Sequence, residues 1–190
     1  MRLSAARPFG LSLALIALAA LSGASLRATT LVYLPFEQQV DDAGLIVVAV
    51  AESRNSSWDT GRTMIHTDIR FRVEETVKGQ TSGTVTVRQL GGVVGDVGQS
   101  VAGTPVFGIG KRYVLFLEPS GEGTYRVVGF SQGSYAVAQD GKGKSTVQSQ
   151  LAAPGGVRIL GGGQTMQVAN GQTLQEFLAQ VRTRLDKAKK

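Results

Sequence analysis

From residue 63 to residue 79 the chain reads TMIHTDIRFRVEETVKG. Ile65, Thr67, Ile69, Phe71, Val73 and Val77 fall on one parity, and His66, Asp68, Arg70, Arg72 and Glu74 on the other. A period of two sends these sets to opposite faces of a β-strand, one toward a core and one toward water. A helix would need apolar residues at spacings of three and four, which the run lacks. Its β-branched residues suit a pleated surface instead. A strand spanning residues 63–77 is long against the usual five or six residues or so, which predicts a bend or bulge near Glu74 and Glu75. Residues 78–83, KGQTSG, read as the turn, and Val85 and Val87 resume the alternation.

The remaining elements are short. Pro35 near the start and Gly44 just past the end predict a two-turn helix with Phe36, Val40 and Ala43 inward. Residues 45–51, LIVVAVA, are apolar on both parities and predict a strand covered on both faces. A polar connection, residues 53–61, then holds Trp58, which serves either as a lid on the core or as a recognition residue. Residues 91–110 are rich in glycine but lead into the strand of residues 113–117. A phosphate cradle needs a glycine loop that opens a helix, so this stretch reads as a long hairpin connection. Residues 125–130 pair back on residues 113–117, and residues 134–137 continue the sheet. About six closely spaced strands form a meander, and closure removes the edges of so small a sheet, which predicts a barrel.

Residues 139–172 turn to Gly, Gln, Ser and Lys and read as a loosely ordered insertion or linker. Thr173 and Glu176 have the spacing of a capping box. The helix they start, in residues 173–190, carries Leu174, Phe177, Leu178, Val181 and Leu185 on one stripe, expected against the barrel.

At the other end, Arg2 and Arg7 precede the apolar run of residues 11–21, with Ser22, Gly23 and Ala24 before a cut. Residues 1–24 read as a signal peptide, and the mature chain is expected to be exported, periplasmic or extracellular, without a membrane span after cleavage. Without Arg2 and Arg7 the 20 basic residues fall to 18 against 14 acidic ones, a mildly basic balance. There is no cysteine, which excludes disulfides, thiolate metal sites and a cysteine nucleophile. A domain spanning residues 25–138 is large enough to be held by its core alone.

Residues 42–48 (DAGLIVV), Trp58, residues 74–79 (EETVKG) and residues 85–92 (VTVRQLGG), in that order, resemble a recurring group of uncharacterised exported bacterial proteins. More remotely, the layout is similar to the OB-type barrel of netrin-like and metalloproteinase-inhibitor domains. The resemblance covers about residues 31–137 and implies a mainly β fold: a small OB-like, netrin-like antiparallel barrel of five to six strands, with a short N-terminal helix and a C-terminal amphipathic helix. Those inhibitors reach the target's metal through an amino-terminal cysteine. This chain has none, so an inhibitor of this layout would have to block a secreted protease by occlusion from near Ser25.

No catalytic set is legible. His66, the one histidine, lies on the polar face of its strand, and adjacent carboxylates such as Glu74 and Glu75 point opposite ways in a strand. Asp96 lacks the acid-dense loop that a hard cation needs. The aromatics fall mostly at core parity, against the stacked platforms of single-stranded nucleic-acid binders. The expectation is an exported, non-catalytic binding module with no cofactor, no metal and no nucleic-acid ligand, its partner an unknown protein or cell-envelope component. Arg70, Arg72 and Arg88, with Trp58 at a rim, are the expected binding residues, because arginine and tryptophan are frequent anchors. The alternatives are a protease inhibitor and a hydrolase with no readable motif.

Overall fold

A computed structural model describes residues 30–121, 123–152, 158–160 and 171–188. The expected signal peptide, the segment near Ser25 and most of residues 153–170 lie outside the described residues. In chain order the strands are β1 (Thr30–Val32), β2 (Leu45–Trp58), β3 (Ile65–Lys78), β4 (Thr84–Leu90), β5 (Gly92–Val94), β6 (Val97–Gln99), β7 (Arg112–Gly121), β8 (Thr124–Val127), β9 (Ser134–Gln139), β10 (Ser145–Ser149) and β11 (Arg158–Leu160). The helices are α1 (Phe36–Asp42) and α2 (Leu174–Ala188). The protein is therefore mainly β. Among the described residues no helix is long and apolar enough to cross a membrane.

Seven strands share one sheet in the order β10-β9-β7-β2-β3-β4-β8, and β8 also pairs with β7, so β2, β3, β4, β8 and β7 close a ring of five strands. Four of the ring's pairings are antiparallel. The fifth, between β4 and β8, is parallel and consists of one registered pair, Val87 with Tyr125, so the sheet is mixed where an all-antiparallel one was expected. The β7–β8 hairpin fixes the direction of β8, and its free edge then meets β4, which lies more than thirty residues earlier in the chain, so sequence spacing did not reveal this pairing.

The alternating run forms β3 as expected. Its pairing with β2 skips a residue between Val73 and Glu75, so Glu74 is the extra residue of the expected bulge, and a second shift beside it passes over Val77. On β2 the extra residue is Glu52, where the apolar run gives way to the polar one. The polar residues after it do not form a connection: β2 runs on to Trp58, paired residue by residue with residues 65–70 of β3. The tight turn is only residues 59–64, held by the Asp59 carboxylate, which accepts from Thr63 N and Thr63 Oγ1 at 2.7 Å each.

β2 and β7 are covered on both faces. Inside the ring, Leu45, Val47, Ala49, Leu115 and Leu117 pack with Phe71, Val87, Phe107 and Tyr113. Ile46, Val48, Val114 and Phe116 face the other way, against Val40 of α1 and Phe177, Leu178 and Val181 of α2. The capping box forms: Glu176 Oε2 accepts from Thr173 N at 2.9 Å, and Glu176 N donates to Thr173 Oγ1 at 3.2 Å. Part of the stretch read as a linker is sheet. β10 pairs antiparallel with β9, and Val147 is fully buried under α2.

Candidate functional site

Arg70, Arg72 and Arg88 share the outer face of β3 and β4, and each has a carboxylate. Glu52 lies 3.9 Å from Arg70 Nε and 3.3 Å from Arg72 Nε, and Glu74 lies 3.4 Å from Arg72 and 2.7 Å from Arg112. Arg88 grips Asp68 with both arms of its guanidinium, at 2.8 and 2.9 Å, and these bonds hold the Asp68 carboxyl below the usual carboxylate range. The bulge at Glu52 builds this ladder by adding a carboxylate to the face that carries the arginines. Each solvent-exposed pair adds little stability, and paired arginines offer a partner less than free ones.

Trp58 does not join them. Its cross-strand partner is Ile65, which is fully buried, and cross-strand partners share a face. Trp58 therefore stands half-buried on the face opposite Arg70 and Arg72, at the far end of the β2–β3 hairpin. His66 is on the outer face, 3.0 Å from Ser57 Oγ. Among the described residues no cluster of three acids or histidines could hold a metal ion.

A concave surface lies elsewhere, along the end of β4. One cavity of about 510 Å³ separates β4, from Val87 to Leu90, from Val127 and Phe130. A second, of about 580 Å³, lies between Arg54, Ser56 and Thr67 on β2 and β3 and the chain from Gly92 to Phe107. Gln89, Leu90, Thr104 and Pro105 line both, so the two form one groove. Its walls expose large apolar side chains: Leu90 at 44%, Phe130 at 43%, Val93 at 68% and Val106 at 69%. The Gln89 side-chain oxygen is buried between the two cavities and accepts no hydrogen bond from the described residues.

Two local structures shape the groove. At the β4–β5 corner, Thr67 Oγ1 donates to Gly91 O at 2.6 Å, so Ser56 Oγ, 2.8 Å away, donates to Thr67. Gly92 sits on this pair with φ of +144°, and a Cβ there would fall 2.3 Å from Thr67 Oγ1 and 2.6 Å from Ser56 Oγ. On the opposite wall Phe130 has φ of +61°, rare for a bulky residue. It is held there from both sides. Ser131 N donates to Gly103 O and Gly133 N to Val128 O, each at 2.9 Å. The buried Gln132 carboxamide accepts from Leu34 N at 2.8 Å and donates to Val32 O at 2.9 Å.

The sequence reading placed Phe130 at the end of a strand. The strand stops at Val127 instead, and the chain turns through Gly129, also left-handed, into a short 3-10 turn. The residues GFSQG carried that signal, since glycine followed by small polar residues marks a turn. No protein-family model and no curated protein matches this chain.

Proposed function

We propose that this chain is an exported, non-catalytic binding module whose ligand site is the groove at the end of β4. The supporting observation is Phe130: an aromatic side chain, 43% exposed, kept on a wall of that groove by a backbone conformation that a bulky residue disfavours. Such strain persists where the surroundings over-determine it, and it gathers at ligand sites. Aromatic anchors beside apolar neighbours are what a binding hot spot uses.

The scaffold is read as OB-like and netrin-like. Numbered within the ring, the strands run first-second-third-fifth-fourth, with the third and fifth parallel, the order expected of a five-stranded Greek-key barrel. The arginine ladder takes second place as a binding surface because its charges already face carboxylates.

Capture from cell-envelope extract on immobilised wild-type chain, read by mass spectrometry, tests the assignment. Phe130→Gly should lose the proteins that wild type enriches, and Arg70→Ala with Arg72→Ala should keep them. Equal capture by Phe130→Gly would move the site away from the groove.

A further inference from the structure

In an antiparallel ladder, residues bonded to the partner strand alternate with residues whose N–H and C=O point the other way. Gly91 N donates to Ile65 O and Val73 N to Gly83 O, each at 2.8 Å, which fixes the phase of the β3–β4 ladder. The odd-numbered residues of β4 bond to β3, and Thr86, Arg88 and Leu90 turn their backbone groups toward the β8 side. There the strands share one registered pair, Val87 with Tyr125. β8 ends at Val127, and beyond it Val128 N donates to Phe116 O at 2.9 Å, on the β7 side of the strand. Leu90 lies three residues past that pair, roughly 10 Å along the strand. Its N–H and C=O face the groove beyond the end of the seam.

A strand edge of this kind matches the backbone of another extended chain, which offers donors and acceptors at the same spacing. An aliphatic ligand would cover the apolar walls but leave those backbone groups and the Gln89 oxygen unsatisfied. Charge narrows the occupant further. The charged residues lining the two cavities are Arg54, Arg88, Arg126 and Glu118. Asp68 holds Arg88 and Glu118 holds Arg126, whereas no described carboxylate pairs with Arg54. The groove therefore carries an excess positive charge at its Arg54 end.

We propose that the groove takes an extended peptide that adds as a strand to the open end of β4, its apolar side chains against Leu90, Val106 and Phe130 and an acidic residue toward Arg54. The proposal rests on the groove being the ligand site.

The test uses a phage-displayed library of random linear twelve-residue peptides, panned on the full chain. Enriched peptides should alternate apolar residues with Asp or Glu, and a synthetic copy of one should bind in fluorescence polarisation. Methylating one central amide nitrogen of that peptide should weaken binding about tenfold or more, a loss of roughly 1.4 kcal/mol. Leu90→Pro removes the edge donor without touching the ladder to β3 and should weaken binding similarly. Arg54→Glu, at an exposed position, should do the same, and it replaces Leu90→Pro if that variant does not keep its thermal midpoint. If binding resists methylation at every amide in turn but is lost in Phe130→Gly, strand addition is wrong and the groove reading stands. Binding indifferent to Phe130→Gly overturns both, and a library that enriches nothing over an unrelated protein overturns the peptide proposal.

Discussion

Two residues define the groove by backbone conformation, and they differ in what they hold. At Gly92 the positive φ and the Ser56–Thr67 pair leave no room for a methyl group, so the residue belongs to the fold. Gly92→Ala should destabilise the protein by about 1–3 kcal/mol, the range for a residue forced into a disfavoured conformation, measured as a lowered urea midpoint. An unchanged midpoint would mean that the corner can open without loss. Neither residue was legible as a site. Gly92 was seen as one glycine in a glycine-rich loop, and only the packing on Thr67 gives it a particular role. Phe130 was read as the last residue of a strand that begins at Tyr125, and a positive φ has no period to betray it.

At the scale of elements, the pairing of β3 with β4 ties the ladder face together, and Asp68 with Arg88 is its best-made ion pair. The hydrogen bonds from Arg88 lower the Asp68 pKa in the folded chain. A depressed carboxyl contributes stability above its unfolded pKa, about 3.9, and loses it as pH falls through the lower folded value. Unfolding free energy should therefore fall between about pH 5 and pH 2, and Asp68→Asn should flatten part of that slope while leaving the rest. A pH profile identical in the variant would contradict the pairing. β3, its bulge and the capping box of α2 were legible because alternation, a length excess and a fixed spacing each have a physical cause written in consecutive residues. The extension of β2 to Trp58 was not. Its residues 52–57 are all polar, so they show no apolar alternation, and at the inward position Ser56 meets the buried Thr67 through a hydrogen bond instead of an apolar contact. That extension sends Trp58 and the arginines to opposite faces, which separates the members of the expected site.

For the molecule as a whole, the β2 run, apolar on both parities, was read as a strand covered on both faces, and the structure places one core inside the ring and one beneath α1 and α2. The closure of the ring was anticipated only as a need to remove edges, and its weak seam was invisible, since a single parallel pair between β4 and β8 depends on contacts far apart in sequence. The account rests on that seam: the ring is held by its cores, and the aromatic at its gap is kept for a ligand. Equilibrium unfolding of Phe130→Gly beside Phe177→Ala measures this directly. Phe177 is fully buried against Phe36, Phe116 and Tyr135, so Phe177→Ala should lower stability by about 3–5 kcal/mol. Phe130→Gly gives up half-exposed contacts but relieves a left-handed conformation that costs a bulky residue roughly 1–2 kcal/mol, and its stability should stay within about 1 kcal/mol of wild type. A loss in Phe130→Gly as large as that in Phe177→Ala would show that Phe130 holds the fold, and the groove would lose its claim to be a binding site.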